Sequence, residues 1–282
     1  MTRIGLITTG ECEHRALPAS LRRVFAGVEV EFESLLRPVP SITSNHLSYP
    51  GPTNGGTKVD QFVESIMATL ESQNSPEFVF AIDDLELPNV ETPHHVTQLV
   101  SDAVRRYFER RGRSASTHRE FERLQRLRQR CSFHLLCPML ETYFFGEPAA
   151  LERAGSIRSP ILAPSRHLEQ FMSVDLEFFR LPDVSGHRWR RLNRGAHPKA
   201  YLSFLVAPAD QDLVVYRETV GGCRALATLD WAQVFRYAPP GIAFAHALFE
   251  DLADALEVPN PFPGTSHPLT RPKPGGLLRN LA

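Results

Sequence analysis

The chain has 282 residues, 42% of them hydrophobic, which is enough apolar surface for one large core or two modest ones. Its formal net charge of −1 exerts no global pull toward nucleic acid or membrane, so any such attraction must come from local clustering. No window nears about eighteen apolar residues, and the apolar part of Met1–Gly10 is too short for a signal h-region. Cys12, Cys131, Cys137 and Cys223 lack the spacing of a zinc site or a disulfide framework. The sequence is therefore read as neither secreted nor membrane-spanning, with a reducing cytoplasm as its expected place.

Arg3 to Thr8 reads as a short buried strand that stops at Gly10. Glu13 to Phe25 spaces Leu17, Leu21, Val24 and Phe25 as a helix, with Gly27 as its stop. Val28 to Leu35 sets Val28, Val30 and Phe32 against Glu29, Glu31 and Glu33, the alternation of a strand with one wet face. Ser41 to Gly56, rich in Pro, Ser, Asn and Gly, is a loop longer than a simple connection needs. Thr57 to Gln73 is an amphipathic helix carrying Val59, Phe62, Val63, Ile66, Met67 and Leu70 on one face. Phe78 to Ile82 is an unbroken apolar run, as expected of a central parallel strand, and it leads into Asp83-Asp84-Leu85-Glu86.

Thr92 is expected to cap a helix through Pro93 to Arg111, and Arg119 to Arg130 forms a second, charged helix. Ser132 to Cys137 reads as another strand, with a helix from Pro138 to Phe145 that places Glu141 in its first turn. Gly155 to Pro198 shows no clear periodicity, and Ala200 to Arg217 suggests strands or short helices. Ala243 to Leu256 closes the folded part as an amphipathic helix, followed by a Pro- and Gly-rich tail. These elements predict an α/β fold with a mostly parallel central sheet and flanking helices over 1–155, a smaller α+β extension over 156–258, and a tail over 259–282.

Acidic residues recur where strands end: Glu11 and Glu13 after the first, Asp83, Asp84 and Glu86 after the central one, Glu141 after the later one. Strand C-termini are where ligands bind in parallel sheets, and hard carboxylate oxygens there suit Mg²⁺ or Mn²⁺. Such an ion activates water and neutralises charge on a phosphodiester. The plainer reading is that Glu13 and Glu141 merely favour helix N-termini.

Gly10-Glu11-Cys12-Glu13, Asp83-Asp84-Leu85-Glu86-Leu87-Pro88 and Met139-Leu140-Glu141-Thr142-Tyr143-Phe144 together resemble the Toprim-like family known as domain of unknown function 4276. His197-Pro198-Lys199-Ala200-Tyr201-Leu202, Tyr216-Arg217-Glu218-Thr219 and Leu229-Asp230-Trp231 resemble the C-terminal pattern of that family. The resemblance spans most of the chain and implies kinship with the Toprim domains of overcoming-lysogenization-defect nucleases. It implies a Mg²⁺- or Mn²⁺-dependent nuclease, with Glu13, Asp83 and Glu141 as catalytic carboxylates and association with an ABC-type ATPase in phage defence. The first glutamate of the family motif aligns with Thr9, so Glu11 is the candidate to replace it, and Asp84 and Glu86 are further metal candidates. Pro88 spacing favours Asp83 over Asp84 as the anchoring aspartate. The same departure at Thr9 keeps a second expectation open, a non-catalytic Toprim-like subunit of a defence complex.

Arg105 to Arg130 holds ten arginines against three glutamates, which suggests Arg105, Arg110 and Arg113 as phosphate contacts. The chain has 28 arginines and only Lys58, Lys199 and Lys273 as lysines, so the run also fits a general arginine bias on a solvated face. Trp189, flanked by Arg188, Arg190 and Arg191, suits base stacking with phosphate contacts, or equally an interaction surface. His94-His95 reads more readily as a capping or solvated pair than as metal ligands. No P-loop and no hydrolase nucleophile motif is present.

Overall fold

The computed structural model describes residues 1–35, 38–51, 56–112, 117–181, 194–207 and 216–265. Four strands, β1 (Thr2–Thr8), β2 (Val30–Ser34), β3 (Phe78–Asp84) and β4 (Cys131–Leu136), form one sheet in the order β2-β1-β3-β4. Every pairing is parallel. The chain is thus α/β, because parallel neighbours require a crossover and a helix is the usual one. The crossovers are α1 (Glu11–Val24), α2 (Lys58–Leu70), and the pair α3 (Pro93–Gly112) and α4 (Thr117–Arg130).

Side-chain alternation along the strands divides the interior into two layers. Val79 and Ala81 of β3, Ile7 of β1 and Phe133 and Leu135 of β4 face α2, α3 and α4. Phe80 and Ile82, with Ile4 and Leu6, face the other way, onto α1 and the C-terminal half of the chain. On the first side Thr57 and Asp60 form a reciprocal capping box at the start of α2. Asp60 also binds Arg106 of α3 at 3.0 Å, and these contacts hold its carboxyl below the usual range although burial opposes them.

On the second side lie α5 (Glu141–Phe144), α6 (Pro148–Ala154), α7 (Leu176–Arg180), α8 (Pro198–Val206), α9 (Cys223–Ala227), α10 (Trp231–Arg236) and α11 (Ala243–Ala255). The extension expected to be α+β is helical among the described residues, where only one antiparallel bridge, Leu162 to Ser173, forms beyond the sheet. Tyr201, Leu202 and Leu205 of α8 are fully buried at helical spacing, a period that mixed apolar and small residues obscured in the sequence.

Several polar ties hold this layer to the sheet. Trp231, 1% exposed, packs on Tyr143 and Phe249 and donates its indole N–H to Ser20 of α1 at 2.9 Å. Glu169 accepts from Tyr143 Oη and from the backbone N–H of Phe244 and Ala245, at 3.0, 3.0 and 2.9 Å, serving the open amides of α11. Its burial raises the pKa to about 7 against those hydrogen bonds. Within α1, Pro18 cannot donate to His14 O, and the Ser34 hydroxyl of β2 donates to that carbonyl instead. Thr92 precedes α3, but its hydroxyl takes no hydrogen bond; His95 N–H bonds to Thr92 O, so the expected side-chain cap does not form. Among the described residues no helix is long and apolar enough to cross a membrane.

Candidate functional site

The end of β3 places two consecutive carboxylates on opposite sides of the sheet. Asp83 continues the Val79-Ala81 side and is 1% exposed. The Thr9 hydroxyl donates to its Oδ1, while Ile42 N–H and Thr43 Oγ1 each donate to Oδ2 at 3.1 Å. Burial pushes its pKa up to about 6, opposed by these donors. Asp83 thus ties the 38–44 loop to the ends of β1 and β3, with its oxygens already engaged.

Asp84 continues the Phe80-Ile82 side and meets a different set of groups. Its Oδ1 accepts from Leu140 N–H at 2.9 Å, which fixes the strand end against the start of α5. Burial, then Glu13, Glu86 and Glu141, drive its pKa well above the usual carboxylate value. Glu13 is 5% exposed on α1, and burial followed by repulsion from Glu141 raises its pKa to about 8. Glu141, 2% exposed, is also raised by burial although Lys199 pulls the other way. The cluster is completed from the C-terminal layer: Lys199 Nζ lies 3.5 Å from Glu141 Oε1 and 2.5 Å from Glu218 Oε2. Burial works against the ammonium, yet Glu141 and Glu218 outweigh it and keep Lys199 charged.

Two glycines shape this cluster. A Cβ on Gly10 would lie 1.9 Å from Glu13 Oε2, so the missing side chain lets the carboxylate fold back over the N-terminus of α1. Gly222 leaves room for the Tyr216 hydroxyl, which a Cβ there would meet at 2.2 Å. Both Glu13 Oε2 and Tyr216 Oη are buried without a hydrogen-bond partner. Native proteins pair most buried polar atoms, so two orphans beside four carboxylates mark a place where a further group is expected. Lys199 and Glu218 are partly exposed, at 37% and 29% of their side chains, so the buried acids lie beneath a solvent-facing rim.

The arrangement suits a hydrated divalent cation. The donors are carboxylate oxygens, the choice of hard ions such as Mg²⁺ and Mn²⁺. Among the described residues no three His, Cys, Asp or Glu side chains are gathered as a ready cage. Mg²⁺ rarely uses one; it keeps several waters and is held through one or two carboxylates. Glu13 and Asp84 would hold it here.

The sequence candidates separate accordingly. Glu13, Glu86 and Glu141 lie near enough to Asp84 to raise its pKa after burial has done so, Glu86 at a left-handed position (φ 59°) just beyond the strand. Asp83, favoured as the anchor, is turned to the opposite side, because one residue along a strand reverses the face. Glu11 pairs with Arg15 one helical turn on, since two positions on an α-helix are about 200° apart and cannot share a face with Glu13. Lys199, Tyr216 and Glu218 were visible only as parts of motifs and carried no assigned role.

The arginine-rich helices lie elsewhere. α3 packs on the opposite face of the sheet, and at 1.5 Å per residue its Arg105 and Arg110 lie roughly 18 and 26 Å along the helix from Pro93. Arg105 pairs with Asp102 and Glu109, and Arg110 with Glu64 and Asp60. Arg113, Arg188, Trp189, Arg190 and Arg191 lie outside the described residues. A cavity of about 360 Å³ between the 41–51 loop, α2 and α3 is on the Asp83 side, away from the acidic cluster.

One further constellation imitates a catalytic triad. Ser132 Oγ and Asp251 Oδ2 both approach His134 Nε2, at 2.9 and 3.2 Å, and all three residues are buried. In a hydrolase the nucleophile and the acid use opposite ring nitrogens, so this group is not arranged as a triad; it ties α11 to β4. Comparison of the chain with protein-family models, with curated proteins and with solved structures finds no match.

Proposed function

We propose that this chain is a Toprim-like, Mg²⁺- or Mn²⁺-dependent nuclease that hydrolyses phosphodiesters at the Glu13, Asp84 and Glu141 cluster. The reading is supported above all by one observation: Glu13, Asp84 and Glu141, each at or just past the end of a strand, lie within electrostatic reach of one another, with one Glu13 oxygen buried and unpartnered and Lys199 3.5 Å from Glu141. A bound ion would supply a Lewis acid and a water nucleophile at neutral pH. Glu13 and Asp84 would hold such an ion. Glu141 and Glu218 aim Lys199 at the rim, where its ammonium meets the phosphoryl oxygens as charge builds on them. Tyr216 Oη is a buried donor within the same cluster. The substrate class is DNA or RNA, and the family resemblance adds an ABC-type ATPase as partner in cytoplasmic antiviral defence.

A second reading, a Toprim-like subunit without catalysis, draws on Thr9. Where the family motif has its first glutamate, this chain has a hydroxyl already spent on Asp83. Incubation of plasmid, single-stranded DNA and RNA with Mg²⁺ or Mn²⁺, alone and with the genomic partner, separates the two. Cutting that disappears in Asp84→Asn and Glu141→Gln supports the nuclease. Folded protein that binds its partner and cuts nothing supports the subunit.

A further inference from the structure

We infer that the cavity between the 41–51 loop, α2 and α3 is a second binding site, and that its ligand is a small phosphomonoester with an apolar body, about the size of a mononucleotide. The inference is independent of the metal reading, because the cavity belongs to the other face of the sheet.

The topology places a crevice here. In the order β2-β1-β3-β4 the chain leaves β1 for α1 on one face and leaves β3 for α3 on the other, so the sheet has its switch point between the ends of β1 and β3. Ligands of open parallel sheets bind beside such a point, outside the strand C-termini. The 41–51 loop lies against it, since Ile42 N–H and Thr43 Oγ1 are fastened to Asp83 at the end of β3. At about 360 Å³ the cavity falls within the range of small-molecule sites and exceeds what a bare phosphate fills.

Its walls divide by chemistry. Ile42, Leu47, Val59 and Leu99 supply apolar surface for an organic body. The polar side is cationic. Lys58 is exposed and has no ion-pair partner among the described residues. Arg106 spends Nε and Nη2 on Asp60, at 3.0 Å each, while Nη1 has no partner among them. The other oxygen of Asp60 is taken by Thr57 N–H and Oγ1, and no Asp or Glu lines the cavity among the described residues. The amides of Lys58 and Val59, in the first turn of α2, likewise lack an acceptor there. A metal ion would meet two cations, and a neutral apolar ligand would leave the guanidinium stranded. A phosphate group answers the lysine, the arginine and the open amides together.

Titration calorimetry on the full chain with chelator present tests this, using AMP, UMP and ribose 5-phosphate, with adenosine and inorganic phosphate as the separated halves of the ligand. At least one of the three phosphomonoesters is expected to bind once per chain, at least about tenfold more tightly than either half, since each half forgoes one wall of the cavity. Lys58→Met should weaken that binding about tenfold and Lys58→Arg by less than about threefold, because one charge-assisted hydrogen bond is at stake. Lys58 is exposed, so neither variant disturbs the core, and circular dichroism verifies the fold. No binding of any of the three up to about 1 mM overturns the inference, as does full affinity in Lys58→Met. Inorganic phosphate bound as tightly as the phosphomonoesters removes the apolar body from the ligand, and adenosine bound as tightly removes the anion; either result also overturns it.

Discussion

Asp83 and Asp84 are consecutive residues with the same side chain at the end of the same strand, and they are put to opposite uses. Asp83 faces the layer of α2 and α3 and is saturated by Thr9, Ile42 and Thr43. Asp84 faces the layer of α1 and the C-terminal helices, where Glu13, Glu86 and Glu141 push protons onto it. Burial costs both carboxylates; only on the first side is that cost offset by donors already in the fold. Asp83 is a fastening, whereas the crowding around Asp84 is what the proposed cation would relieve. The difference teaches that acidity at a strand end marks a site only when the surrounding fold has left it electrostatically unfinished.

The largest expected effect is therefore an exchange of phenotypes between neighbouring asparagines. Asp84→Asn should lower metal-dependent cleavage by at least about 100-fold with little change in Tm, since it removes repulsion and keeps an acceptor for Leu140 N–H. Asp83→Asn should destabilise by about 2–4 kcal/mol in urea unfolding, because an amide cannot accept from all three donors, while Mn²⁺ binding is retained. Loss of ion binding in Asp83→Asn with stability intact would reverse the assignment of the two sides.

The fold was legible wherever periodicity carried it. The unbroken Phe78–Ile82 run and the one-faced apolar pattern from Val59 to Leu70 gave a parallel strand and an amphipathic helix, and both are present. Which aspartate faces Glu13 and Lys199 was not legible, because it depends on strand parity relative to a layer that includes residues more than 100 positions later. Lys199 and Glu218 illustrate the same limit: their 2.5 Å contact joins α8 to a turn beyond residues 208–215, and no local pattern encodes such a pairing. The helical extension escaped notice for another reason: α6, α7, α9 and α10 span only five to seven residues, too short for a period to emerge.

Gly10→Ala probes the unfinished side with no change of charge. The added methyl meets the far end of a flexible side chain, so it should cost less than about 1 kcal/mol while displacing the Glu13 carboxylate. Mn²⁺ affinity is expected to fall about tenfold, in line with Glu13→Gln, and wild-type affinity in this variant would detach Glu13 from the ion.

Glu13 also leaves a signature in the pH dependence of stability. Its pKa is raised from 4.5 in the unfolded chain to about 8 in the folded one. The folded state therefore holds the proton more tightly, and the stability this contributes is complete below about pH 4.5 and lost as the pH climbs toward 8. Glu13→Gln cannot lose it. With chelator present, Tm of the variant relative to wild type should rise steadily from pH 5 to pH 8.5; a difference constant across that range would show that Glu13 is not held protonated by its surroundings.

The smallest effect belongs to Glu11, the residue that the motif alone nominates to replace the missing glutamate at Thr9. Its carboxylate is bonded to Arg15 on the same helix, and both side chains are substantially exposed, at 39% and 56%. An exposed pair of this kind is worth at most about 0.5 kcal/mol and is weakened by salt. Glu11→Gln should accordingly leave Tm, Mn²⁺ stoichiometry and any cleavage rate within error of the wild type. A large loss of cleavage in this variant would mean that α1 rotates or unwinds at its first turn when substrate binds, since only then can positions 11 and 13 address one centre. A silent substitution leaves Glu13 as the one carboxylate of the Gly10–Glu13 motif that the proposed centre would use.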